Sequence, residues 1–179
     1  MILVRITDIK GDVKISGYID WFVAESFDFS IGKKVESIDS NNRDIEVKKD
    51  NDQELSISKT IDSATVYLML SVMKGRKDSG TNSTCSVDIH LIQNKAMEVG
   101  IGMQPFLLIR IENAIIKDWG IDATGDDRPT ENLKIWFNKA AMKYRATMDG
   151  KTYISHGPHG WDEHENKEFK PAALLKDNY

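Results

Sequence analysis

The sequence predicts a mainly-β domain, a β-barrel or sandwich with one helix packed at a rim or edge. Three observations carry that reading: strict alternation over Thr84–Leu91, a longer alternating run over Ile19–Ile31, and one isolated stretch with helical spacing and caps. In the first, Cys85, Val87, Ile89 and Leu91 form an apolar row against Thr84, Ser86, Asp88 and His90, which describes a strand with one wet face. In the second, Ile19, Trp21, Val23, Phe27, Phe29 and Ile31 share a row whose single charge is Glu25. That run exceeds the usual strand of about 5–6 residues, so a bend or bulge is expected near Glu25. Further strands are expected at Ile2–Ile6, Asp44–Lys48, Glu54–Ser58, Phe106–Glu112, Ile115–Trp119, Leu133–Asn138, Met142–Thr147 and Thr152–Ser155.

The helix is expected over about residues 62–74. Asp62 can cap it, Ile61 and Val66 stand at the two positions of a hydrophobic staple, and Gly75 sits where the chain must leave the helix. Val66, Met69, Leu70 and Met73 fall in one stripe and are expected to face the core. Lys74, Arg76 and Lys77 complement the negative end of the helix dipole. Two polar stretches break the pattern. Gly32–Gln53 is rich in Asn and in charge of both signs and reads as a long exposed loop holding one short strand. After Trp161 no alternation survives.

With 179 residues the chain is long enough for one domain with its own core. A net charge of −4 with the two signs interleaved argues against a nucleic-acid binder, which needs a clustered basic excess. No apolar run approaches the ~18 residues of a membrane span, so no membrane insertion is expected. Arg5 interrupts the start, leaving no room for a signal-peptide apolar region, so assembly is expected in the cytoplasm, with any export left to a dedicated machine. The single cysteine, Cys85, excludes an intrachain disulfide and reads as a buried structural thiol on its strand's apolar row.

Catalytic and cofactor motifs are absent from the sequence. It holds no nucleophile elbow, phosphate-cradling loop or dinucleotide-binding turn, and Gly100-Ile101-Gly102 reads as a hairpin connection. The acids Asp118, Asp122, Asp126, Asp127 and Glu131 lack the spacing of a calcium loop, and Asp126 to Glu131 reads as a turn in which Arg128 pairs with Asp127 or Glu131. His156, His159 and His164, with Asp162, carry a weak zinc or nickel reading whose bland alternative is solvated surface. The expectation is a non-enzyme with no cofactor and no metal site.

Several stretches together resemble the haemolysin-coregulated proteins (Hcp), the tube subunits of type VI secretion systems. Gly125-Asp126-Asp127-Arg128-Pro129-Thr130-Glu131, running on through Leu133-Lys134-Ile135-Trp136-Phe137 to Tyr144, is similar to that family's turn-and-strand signature. Gly160-Trp161-Asp162, followed by Asn166-Lys167, resembles its closing segment. Ile9-Lys10-Gly11-Asp12, Ile19-Asp20-Trp21, Ser26 to Ser30 and Leu55 to Thr65 fit in family order. Two stretches depart from the pattern: the charged, Asn-rich Gly32–Gln53, and the tail Phe169–Tyr179.

The resemblance implies a β-barrel of two packed antiparallel-rich sheets with one flanking helix, spanning residues 1–167, with 168–179 as a C-terminal extension. It implies homohexameric rings that stack into a hollow tube, secreted with a VgrG-type spike by sheath and baseplate proteins, with effectors carried inside. A ring needs two different surfaces that meet and close after a fixed rotation. Lys33, Lys34, Glu36, Asp39, Arg43 and Asp44 are the expected ring-stacking contacts, their mixed charges setting register. The alternative readings are a contractile-phage tail-tube protein, a small-ligand or carbohydrate-binding β-barrel, and a metal-dependent hydrolase using the C-terminal histidines.

Overall fold

The computed structural model describes residues 1–37, 45–48, 53–74, 84–93, 104–125, 127–147 and 153–175. In chain order the elements are β1 (Ile2–Ile6), β2 (Phe22–Ala24), β3 (Ser26–Ser30), β4 (Lys34–Ser37), β5 (Ile45–Lys48), β6 (Glu54–Thr60), α1 (Thr65–Lys74), β7 (Cys85–Ile92), β8 (Pro105–Asp122), β9 (Thr130–Trp136), β10 (Lys139–Thr147), β11 (Tyr153–Asp162), β12 (Lys167–Glu168) and α2 (Ala172–Leu175). All the ladders are antiparallel. The first sheet runs β12-β11-β10-β8-β7-β1-β2, and the second pairs β3 with β6, β6 with β9, and β9 with the far half of β8.

Two corners join the sheets. β8 pairs with β7 and β10 up to Ala114 and with β9 from Ile115 onward, turning at Asn113, whose φ of 51° asparagine tolerates better than most residues. The two strands expected at Phe106–Glu112 and Ile115–Trp119 are therefore one bent strand. The other corner is Glu25, between β2 and β3, where the Glu25 N–H donates to Ser58 O at 2.8 Å. The step from β2 to β3 is made along the chain and not by a ladder, so the sheet is not closed and "barrel" describes it loosely.

The bend expected at Glu25 is present, but it also shifts the phase of burial. Before it Phe22 and Ala24 point into the core, while Val23 and Ile19 are exposed; after it Phe27 and Phe29 pack inward. The single apolar row predicted over Ile19–Ile31 is thus two rows of opposite parity. Trp21 is buried, though on the outer face of the first sheet, in a small cluster with Leu3, Val13, Tyr18 and Ile92.

The main core lies between the sheets and collects Val4, Ile6, Phe22, Leu55, Ile57, Val87, Ile89, Ile109, Ile111, Leu133, Ile135 and Phe137. Each such burial stabilises the fold by about 1.5–3 kcal/mol relative to exposure. Ala64, just before α1, and Leu68 within it sit in this core with Val72 against it, one i, i+4, i+8 line. The stripe expected to be buried lies nearly half a turn from the line that is buried. Val66, Leu70 and Met73 are exposed together with Tyr67. The expected helix stop, Gly75, lies outside the described residues.

Beyond β8 the first sheet continues as a wing of β10, β11 and β12. Its outer face is covered by the C-terminal segment: Phe169 and Leu174 pack on Leu108 and Ala141, and Lys143 Nζ donates to Leu174 O at 3.1 Å. In the polar stretch 32–53, β4 and β5 pair with each other as a separate two-stranded ribbon, so part of the expected loop is a hairpin.

Candidate functional site

The predicted signature turn ends in a buried ionic node. Glu131 heads β9 directly opposite Lys59 of β6, and both side chains are fully buried. Lys59 Nζ donates to Glu131 Oε1 at 2.6 Å, to Asp62 Oδ1 at 2.8 Å and to Thr60 O at 2.8 Å. Glu131 also accepts from Thr65 Oγ1 at 2.8 Å and from Trp119 Nε1 at 2.7 Å. Burying a charge is tolerated only when it is paired and its remaining hydrogen-bonding capacity is filled, and here it is.

The same node starts the helix. Asp62 Oδ1 accepts from the Ala64 N–H at 2.8 Å while Thr65 Oγ1 accepts from the Asp62 N–H at 3.0 Å, a reciprocal cap of the capping-box kind. Ile61 N–H donates to Pro129 O at 3.1 Å, tying the turn to the chain that enters α1. Within the turn Thr130 pairs with Thr60 and Pro129 is half-buried, while Asp127 and Arg128 are exposed. Of the two pairings expected for Arg128, the one with Glu131 does not form, because Glu131 is committed inward to Lys59. Arg128 instead lines an open groove of about 360 Å³ with Asp12, Lys14, Glu25 and Ile61.

The second predicted motif is also structural at its core. Asp162 is buried and holds Lys139 Nζ at 2.7 Å, while its Oδ1 accepts from the N–H groups of His164 and Glu165 at 3.0 and 3.1 Å. Burial raises its carboxyl, but the Lys139 ammonium and those two N–H donors outweigh it and hold it below the ordinary value. The turn closes through Asn166 at φ 52° into β12, where Lys167 pairs with Asp162. Gly160 is required by close approach, since a Cβ there would stand 2.4 Å from Ala140 O and 2.5 Å from Ala141 Cβ. Trp161, by contrast, is 42% exposed.

The outer face of the first sheet carries an alternating charge ladder that sequence reading missed. Asp88 is buried between Arg5 at 2.7 Å and Arg110 at 2.8 Å, and Arg110 also reaches Glu112 at 3.1 Å. The signal was available in the alternation of β1, β7 and β8, but only register places Arg5, Asp88 and Arg110 on one cross-strand row. His90 lies one row along, at 3.2 Å from Tyr18 Oη and edge-on to Tyr18. Burial pushes its imidazole down to about 4, Asp88 pulls it upward, and Arg5 pushes it down. Cys85 is held by burial at about 11, a thiol rather than a thiolate, and donates to Ala114 O.

Of the expected stacking residues, Lys33 is exposed just before β4, Lys34 and Glu36 lie in β4, and Asp39, Arg43 and Asp44 fall outside the described residues. The three C-terminal histidines do not converge. His156 stacks on Tyr144, His159 Nδ1 is 3.9 Å from Glu168, and the His164 N–H caps Asp162. Among the described residues no group of three or more His, Cys, Asp or Glu side chains is placed to hold a metal ion.

The family described as "Type VI secretion system effector, Hcp" matches residues 3–144, most of the chain. The chain belongs to the Hcp family. It is thus a tube-forming protein of type VI secretion, and the turn that carries Asp127 to Glu131 lies within the matched residues. No curated protein matches it in sequence. Among solved structures it is similar to a type six secretion system protein, at 17% identity and TM-score 0.69 over 94% of this chain and 98% of that one. Hcp1 from Salmonella typhimurium aligns at 16% identity and TM-score 0.62, covering 94% and 97%. The sheath–tube complex of an extracellular contractile injection system, PVC, aligns at 11% and TM-score 0.53, covering 80% and 88%. At these identities the likeness is one of fold, and it spans nearly the whole of this Hcp chain.

Proposed function

We propose that this Hcp-family chain closes into rings of six copies that stack as a hollow tube, is secreted after assembly in the cytoplasm, and works with a VgrG-type spike, sheath and baseplate while carrying effectors through its bore. The observation that supports this beyond family membership is the outer face of the second sheet. Cross-strand rows there read Ser26, Ser58, Asn132 and Gly120, then Asp28, Ser56, Lys134 and Asp118. Four adjacent strands thus present small and polar side chains to water, a wall suited to a wet channel and poor as a ligand pocket. No step of this role needs catalysis.

We assign stacking to the stretch that holds the β4–β5 ribbon, with Lys33, Lys34, Glu36, Asp39, Arg43 and Asp44 as its proposed contacts to the next ring. Its support is position and charge: the ribbon pairs with neither main sheet, and mixed charge sets register without a large apolar patch. Light scattering on a sizing column, with negative-stain images of the peak, tests the reading. Six-fold rings are expected, and a monomer at every concentration overturns it. The likeness to the contractile-injection tube favours one second reading, a tube outside type VI secretion. Normal type VI export in cells lacking the chain would select it.

A further inference from the structure

The core of the molecule runs out onto an uncovered flank. In the first sheet Ile109 and Ile111 face the main core, with Leu107 and Ala140 against it. Register continues that face onto the wing: Ile111 pairs with Ala140 and Ala140 with Trp161, Ile109 pairs with Met142, and Leu107 pairs with Tyr144. Ala146 with Ile154 extends the same side. Directly opposed residues share a face, so Met142, Tyr144, Ile154 and Trp161 continue the core-facing row. Among the described residues no second layer lies over them, and they are 39%, 47%, 44% and 42% exposed. The wing's other face is already covered by Phe169 and Leu174.

A second apolar face lies on α1, where Val66, Tyr67, Leu70 and Met73 are exposed at helical spacing while Ala64 and Leu68 fill the core. These two sets hold more than half of the large apolar side chains exposed among the described residues. Contiguous exposed apolar sets, unlike scattered single residues, mark interaction sites.

We infer that the wing face (Met142, Tyr144, Ile154 and Trp161) of one copy docks on the outward face of α1 (Val66, Tyr67, Leu70 and Met73) of the next copy, and that this contact closes the ring. This rests on the tube reading above. One feature selects a second copy as the occupant. Chains of a self-assembling family must carry two unlike faces that match, because wing on wing or helix on helix would stop at a dimer. Charge does not oppose it: α1 carries no acidic residue and ends in Lys74, and Glu168, paired opposite Trp161 on the rim of the wing, is bridged to Lys170 at 2.9 Å. The contact supplies the missing layer, since a sheet face is stable when a helix or a second sheet packs on it.

The test uses the full chain with cysteines placed on both faces. Leu70→Cys and Tyr144→Cys are combined in one variant and treated with a short bismaleimide, with denaturing gels as the readout. The expected result is a ladder of covalent oligomers, and an equal mixture of the two single variants should give cross-linked dimers. Each single variant alone, like the parent with only Cys85, should remain uncrosslinked. Tyr144→Glu, with an unchanged circular dichroism spectrum, should weaken assembly by tenfold or more in dilution series. Dimers from Tyr144→Cys alone would mean wing on wing and overturn the inference. Rings in light scattering without cross-links would overturn it too and leave the tube reading standing, whereas a parent chain that never assembles would bring down both.

Discussion

Glutamine in place of Glu131 removes one charge from the node at the helix start while keeping the side chain's shape. Glu131 is fully buried and accepts from Lys59, Thr65 and Trp119 at 2.6–2.8 Å. The amide retains an acceptor oxygen for one or two of these donors, but it turns N–H toward the third and leaves the buried Lys59 ammonium balanced by Asp62 alone. Breaking a buried pair by neutralising one partner costs about 3–5 kcal/mol. Asp62, which keeps its 2.8 Å contact to Lys59, should hold the loss near the lower end. Lys59→Met combined with Glu131→Leu removes both charges and the desolvation they require. That double variant should lose less than the summed single variants, because the mutual penalty of an unpaired charge is gone, but still about 2–4 kcal/mol, because Thr65 Oγ1 and Trp119 Nε1 lose their acceptor. The assay is urea denaturation followed by circular dichroism at one fixed protein concentration, read as a double-mutant cycle with the two single variants. A loss below about 1 kcal/mol for Glu131→Gln, or a double variant as unstable as the summed singles, would refute the claim that the node acts as one mutually compensated unit.

Other outcomes follow from the same geometry. His90 binds its proton less readily folded, at about 4, than at its ordinary 6.5; its contribution is therefore complete above pH 6.5 and is lost as pH falls toward 4, worth about 3 kcal/mol in all. Stability measured from pH 7 to pH 5 should drop in the parent and stay flatter in His90→Gln. Gly160→Ala should cost about 2 kcal/mol or more in urea melts, since its Cβ meets backbone 2.4 Å away and the β10–β11 ladder must shift. Cys85, with its thiol held at about 11, should react with a thiol reagent at neutral pH at least tenfold slower in the folded chain than in urea. Deleting the β4–β5 ribbon should leave single rings intact in negative stain and shorten or abolish stacks; unshortened tubes would contradict the stacking assignment.

Much of the architecture was legible locally. β1 lies where the sequence places it, and β6, β7, β9 and β10 differ from expectation by a few residues at their ends, because alternation is a property of neighbouring residues and needs no partner to be read. Asp62 as the helix cap was legible for the same reason, and so was the bend at Glu25. The stripe on α1 was not. Its positions 66, 69, 70 and 73 satisfy helical spacing as well as 64, 68 and 72 do, and only the core beneath decides which line is buried. The short β12 and α2 lack any period long enough to detect.

The same division holds for function. By itself the sequence determined the fold class, the family resemblance and the absence of recognisable catalytic motifs, all of which rest on residue types at short fixed spacing. Only the tertiary structure decided that Lys59 and Glu131, 72 positions apart, share one buried ionic contact, and that the core-facing row leaves the covered sheet and emerges on the wing. Those facts depend on register between distant strands, and a shift of one residue in any ladder would turn every side chain to the opposite face.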